Sequence, residues 1–413
     1  MEFLHKFTSL GKGREVAIRL SAFYGATFMI VGTYASFLPL WLKSAGLSEA
    51  QISWVYAMPV LLRPVFTMGI SFFADRSGHH VRLLRLLALG ALASVVSLPF
   101  LGGFPPIFAA FTLFALFWTT VIPLTDAVAL AASRKGGADY GRMRLWGSFS
   151  YIAVILAGGV AVEMYGAPAA LWLFLTAAAS VVLASLWLPA MSRVNGIPTD
   201  GALPLAPVRA IRFGELTALV RLPVLWLFLA ATSAIQAAHA VYYLFGTIHW
   251  TGTGLAPTVI GTLWSIGVVA EIVLFAFATK VSRHFGPAQL TLIGALAAVF
   301  RWTCTSLDPP LALLIPLQAM HGLTFGATYL GAMQFITRAF PPHMAATVQG
   351  VYASFSAGIG MGIAYLAAGP LYRTFGATAY LAMALLALLG LVLAAVLLRR
   401  WDGGSIVSAP EGG

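Results

Sequence analysis

Cysteine occurs once in the 413 residues, at Cys304 inside an apolar run. A lone thiol excludes an intramolecular disulfide and any cysteine-cluster metal site. Charge is also scarce. Asp, Glu, Lys and Arg make up 9% of the chain, and Asp and Glu together number 13. Soluble domains carry roughly a quarter charged residues, so a soluble composition is excluded. Catalytic signatures are missing too: the chain has no HExxH, no GxSxG and no glycine-rich phosphate loop with its lysine. These absences argue against a membrane-embedded hydrolase and against ATP hydrolysis by this chain.

What is present is hydrophobic. Apolar residues make up 60% of the chain and the mean hydropathy is +0.89. Runs long enough to span a bilayer fall at 20–42, 52–73, 83–101, 107–131, 146–164 and 169–190. They resume at 223–247, 257–279, 288–306, 311–336, 346–368 and 377–398. A stretch of about 20 apolar residues crosses the hydrocarbon core, and lipid offers no partner for a bare peptide group, so each run must be helical. The fold class is therefore an all-α integral membrane protein with twelve transmembrane helices. The sequence divides them into an N-terminal six-helix bundle (1–190), a linker (191–222) and a C-terminal six-helix bundle (223–413).

The linker, rich in Pro, Gly and Arg, reads as a cytoplasmic connection. With the N-terminus inside, the inner loops hold most of the Lys and Arg, and the outer loops hold little beyond Lys43 and Arg373. That asymmetry places both termini in the cytoplasm and accounts for the net charge of +11 without nucleic acid. The opening residues lack a compact apolar stretch ending in a cleavage site, so the first run is expected to be an uncleaved anchor. The halves echo one another weakly. Aligning Asp75 with Arg283 aligns Gly78 with Gly286 and sets Arg63 opposite Glu271. Internal repeats of this kind are common in transporters.

Ionisable residues inside the runs carry the functional signal, because a charge near the bilayer centre costs several kcal/mol. Six stand out: Arg63, Asp126, His239, Glu271, Arg301 and His321. Arg63 cannot in practice deprotonate, and its forked guanidinium suits a substrate carboxylate. Glu271 can exchange a proton; its alternative is a permanent salt bridge to Arg301 or Arg63. Asp126 and Arg144 stand at similar depth, either as a structural ion pair or as charges shared with substrate. His321 fits a packing role or a proton relay, and His239 fits packing. Arg142, two residues before Arg144, reads as an inside anchor.

The "DRSGHH" loop between the second and third runs, the basic linker and the six-plus-six pattern resemble the major facilitator superfamily over the whole chain. Ser71 stands where that loop pattern has Gly, and His79–His80 where it has basic residues. The fifth run lacks the GPxxGG of drug antiporters. "YGRMRLWGSFSYI" (140–152) resembles the fifth helix of the lactose-permease and phenylpropionate-permease branch. In that resemblance Asp126, Arg144 and Tyr151 take the place of the lactose permease's sugar-binding Glu, Arg and Trp. Glu271, Arg301 and His321 resemble its acid, arginine and histidine of helices 8, 9 and 10. Thr324 stands where it has a coupling glutamate, and "QAAHAVYY" where helix 7 has an acid.

The resemblance implies a secondary transporter of the inner membrane, monomeric and without cofactor, that carries a small-molecule substrate with protons. Arg63, Asp126, Arg144 and Tyr151 are the expected substrate-binding residues; Glu271, Arg301 and His321 are the expected proton-coupling set. The lost second acid and the altered sugar set point to an aromatic carboxylate. A sugar or nucleoside is the alternative substrate, and a non-transporting membrane sensor the alternative class.

Overall fold

The structure is a computed structural model that describes residues 2–134, 139–188, 219 and 221–407. The linker expectation lies mostly outside the described residues. All described regular structure is helical, and each of the twelve apolar runs falls on one helix or a broken one.

In the first half these are α1 (Glu2–Ser36, continued by Leu38–Ser44), α2 (Glu49–Ser77), α3 (His80–Val95), α4 (Phe104–Trp118 and Val121–Arg134), α5 (Tyr140–Tyr165) and α6 (Pro168–Trp187). In the second they are α7 (Pro223–Ala237 and Ala240–Gly252), α8 (Pro257–Ala276, continued by Ala278–His284), α9 (Pro287–Thr305), α10 (Leu311–Ala319 and Thr328–Ala339 around a wide turn at Gly322–Ala327), α11 (Pro342–Ala353 and Met361–Phe375 around a second wide turn at Ser354–Gly360) and α12 (Ala379–Arg400). Ten stretches of the described residues are long and apolar enough to cross a membrane, the last of them covering both α11 and α12. The chain is a multi-pass membrane protein, and the twelve-helix reading fits it.

The helix ends and breaks have local causes. Ser48 caps α2 in a reciprocal pair with Gln51, and Gly78 ends it in the left-handed conformation at φ 69°. Pro123 lacks the amide that Thr119 would need, so α4 breaks at Thr119–Thr120. The α7 break at Ala238–His239 has no proline. There the His239 ring takes the Ile235 and Gln236 carbonyls at 3.2 and 3.1 Å, inserting a side chain into the helical ladder.

The chain forms two compact units: Met1–Asp200 with Trp250–Thr262, and Gly201–His249 with Leu263–Gly413. In the first, α1 and α5 pack closely because Gly147 faces the Phe28 ring, which a Cβ there would meet at 2.7 Å. Trp250–Thr262 belongs to this unit, where Glu163 accepts from the Thr258 amide at 3.2 Å and its hydroxyl at 2.6 Å. The end of α6 is held by arginines: Arg85 donates to the Ser185 and Leu188 carbonyls and Arg19 to that of Trp187. In the second unit Gly294 lets α9 approach Thr328 of α10. The Phe228 and Phe335 rings stack at 4.0 Å, with Trp401 edge-on to Phe335. Large apolar side chains such as Met68, Phe72, Leu385 and Val392 are exposed, as lipid-facing surfaces require.

Candidate functional site

Each unit carries its own cluster of ionisable residues in the membrane. In the first unit, α2 contains Pro59 and Pro64 on either side of Arg63. Each proline leaves the carbonyl four residues earlier without its helical donor, so the helical ladder is interrupted at Val55 and Val60, in the two turns leading to Arg63. Arg63 makes no hydrogen bond or ion pair with any described residue. It lines a cavity of about 210 Å³ with Tyr34, Phe114, Trp118 and Thr119. Tyr34 lies 4.5 Å from the Tyr56 ring, whose hydroxyl holds the Tyr34 carbonyl at 2.6 Å. Phe114 stacks on Trp118 at 5.7 Å. The cavity therefore combines one unpartnered cation with braced aromatic walls.

Asp126 and Arg144 do not form a direct ion pair among the described residues. Asp126 Oδ1 instead accepts from the hydroxyls of Tyr24, at 2.6 Å, and Tyr140, at 3.2 Å. Arg144 lies over the Phe28 ring at 4.0 Å and the Tyr24 ring at 5.7 Å. A charge balanced by hydroxyls and ring faces keeps its strongest partner position open. Tyr151 is half-buried on α5, and its carbonyl meets α1 near Gly32. It lines neither this cavity nor the larger one between α1 and α5.

In the second unit Arg301 is fully buried. Its Nη1 donates to Thr324 Oγ1 at 3.1 Å and meets His321 Nδ1 at 3.3 Å; its Nη2 donates to Gln318 Oε1 at 3.0 Å. The guanidinium also lies 4.4 and 4.9 Å from the Trp302 and Tyr242 rings. No carboxylate stands within ion-pair distance of it among the described residues. The cation is thus held by neutral oxygens, one imidazole nitrogen and aromatic faces.

These contacts fix the histidine tautomers. His239 Nδ1 faces two carbonyl oxygens and so carries its hydrogen; Nε2 accepts from Thr324, 3.0 Å away. Thr324 therefore receives from Arg301 and donates to His239. His321 Nδ1 accepts from Arg301, so its hydrogen sits on Nε2, which lies 3.7 Å from Glu271 Oε2. That distance is a loose pair rather than a hydrogen bond. Glu271 is a quarter exposed while the rest of the cluster is buried. It can change charge without breaking an Arg301 bond.

The sequence-expected residues Glu271, Arg301 and His321 are thus brought together, whereas Asp126 and Arg144 meet through tyrosine and phenylalanine. Sequence reasoning missed Tyr24, Gln318 and the linking role of Thr324, and it assigned His239 to packing. Thr324, one turn after His321, was visible only as a missing acid. The wide turn at Gly322–Ala327, directly after His321, had no sequence signal; such turns recur at functional positions.

Two helical units with buried ionisable residues inside their spans fit a secondary transporter of the major facilitator type. The MFS_1 like family matches over residues 17–382, and the chain belongs to this family. It is 31% identical over 373 residues to the "Probable 3-phenylpropionic acid transporter" of Escherichia coli (strain K12), covering 88% of this chain and 93% of that protein. The "Maltose permease" of Geobacillus stearothermophilus is 26% identical, over 92% of this chain and 93% of that one. In fold, the crystal structure of nucleoside transporter NupG superposes with a TM-score of 0.79 at 14% identity, over 94% of this chain and all of that one.

Proposed function

We propose that this transporter takes up a small aromatic carboxylate together with protons, across the inner membrane and with both termini in the cytoplasm. The observation that carries the substrate class is Arg63: an unpartnered guanidinium lining an aromatic cavity of about 210 Å³. A carboxylate would accept its two parallel N–H groups, and Tyr34, Phe114 and Trp118 would cover a ring. Pockets for drug-sized ligands run roughly 300–1,000 Å³. The smaller volume suits one ring with a short acidic arm better than a disaccharide. The likeness to a phenylpropionic acid transporter points the same way. Coupling falls to Glu271, with Arg301 and His321 setting its surroundings; Asp126 and Arg144 supply a second polar contact for substrate, and Tyr151, two turns further along α5, an aromatic one.

Thermal unfolding of the purified protein tests the substrate class. A ligand at 100-fold its Kd stabilises by about 2.7 kcal/mol. 3-Phenylpropionate should raise the midpoint more than its neutral amide does at equal concentration, while maltose and uridine should not raise it. Stabilisation by maltose or uridine alone would replace the carboxylate with a sugar or nucleoside.

A further inference from the structure

A second, larger cavity of about 1,080 Å³ runs between α1 and α5 on the first unit and takes no part in the proposed transport chemistry. At one end stand Arg14 and Arg142, both exposed, and neither makes a hydrogen bond or ion pair with any described residue. Asp139 beside them caps α5, its Oδ1 accepting from the Arg142 amide at 2.8 Å, and neither guanidinium pairs with its carboxylate. Beyond the arginines the lining turns apolar: Ile18 on one wall, Trp146 and Phe149 on the other. Trp146 is 59% and Phe149 56% exposed, and their rings meet edge to face at 6.1 Å. The floor closes where Ser150 Oγ donates to the Gly25 carbonyl at 2.8 Å.

The dimensions match a lipid. From Arg14 to Gly25 the groove follows α1 for about 16 Å at the helical rise of 1.5 Å per residue. One leaflet is half of the roughly 30 Å hydrocarbon core. A free anion would use the arginines and leave the apolar length idle; a neutral lipid would leave both cations unmatched. An amphiphile with a negative head and one acyl chain uses the whole groove.

We propose that this groove is a binding site for an anionic phospholipid. Arg14 and Arg142 hold the phosphate-bearing headgroup, and an acyl chain lies along Ile18, Trp146 and Phe149. Basic pockets at the ends of membrane helices recognise acidic lipid heads with about 1 kcal/mol per arginine, or about fivefold in affinity each.

The test uses tryptophan quenching by lipids brominated on the acyl chain. The full-length protein is reconstituted in phosphatidylcholine, and brominated phosphatidylglycerol or brominated phosphatidylcholine is titrated in. The signal is the part of the quenching lost in Trp146→Phe. Brominated phosphatidylglycerol should saturate that component at a mole fraction about thirtyfold lower than brominated phosphatidylcholine. Arg14→Gln with Arg142→Gln should abolish the preference, and the double lysine variant should keep most of it. Both arginines are exposed, so these changes should leave unfolding temperature unaltered. Equal quenching by the two lipids, no Trp146 component at all, or a preference that survives the double glutamine variant would each overturn the proposal. So would displacement by water-soluble glycerol phosphate, which would assign the cations to a free anion.

Discussion

At the scale of single residues, the membrane charges Asp126, Arg144 and Arg301 are balanced by neutral groups rather than by opposite charges among the described residues. Asp126 rests on two tyrosine hydroxyls, Arg144 on ring faces, Arg301 on Thr324, Gln318 and His321. Such partners hold each group in place yet leave its net charge available to a ligand. Arg63→Gln follows from this. A hydrogen bond to a charged group contributes about 1.5–3 kcal/mol, so the variant should bind 3-phenylpropionate roughly 10- to 150-fold more weakly. Affinity for the neutral amide, measured by competition, should not move. Equal losses for both would make Arg63 structural. The Asp126→Asn, Arg144→Gln double variant addresses the other pair. Lacking a direct ion pair, the two changes should not rescue each other, and the double variant should fold but transport poorly. Full transport by it would remove both residues from the substrate path.

At the scale of the helix, one hydroxyl couples three elements. Thr324 on α10 receives from Arg301 on α9 and donates to His239 at the break in α7. Thr324→Val keeps the shape but strands an arginine N–H and an imidazole nitrogen, both buried. Each unsatisfied buried group costs about 1–3 kcal/mol. Thr324→Val should therefore lower stability by about 2–6 kcal/mol while Thr324→Ser stays near wild type; thermal unfolding in one detergent distinguishes them. A valine variant as stable as wild type would mean the hub is not bonded as described. This hub also marks how far the sequence could be read. The apolar runs were legible as helices because lipid forces each of them into one. Arg301, His321 and Glu271 were legible as ionisable residues inside such runs. Their partners were not. Tyr24 is 102 residues from Asp126 and His239 is 85 from Thr324, and tyrosines and threonines inside apolar runs are too common to flag without tertiary contacts. The α7 break was hidden for the same reason, since it depends on the ring of His239 and not on a proline.

At the scale of the whole molecule, the proposed proton symport requires one group that binds a proton with the substrate and releases it on the other side. Arg63, Arg144 and Arg301 cannot do so. His321 and His239 each give their open ring nitrogen to a donor, Arg301 or Thr324. Glu271 is the member of the second cluster whose charge can change without breaking those bonds. The direct measurement compares two modes in the same proteoliposomes: uptake of labelled 3-phenylpropionate driven by an acid-outside pH gradient, and counterflow at equal pH. Wild type should accumulate substrate, and a protonophore should abolish that accumulation. Glu271→Gln should lose accumulation and keep counterflow, because exchange needs only the loaded protein to change sides. Accumulation by Glu271→Gln at the wild-type gradient, or wild-type uptake that ignores the gradient, would contradict the account.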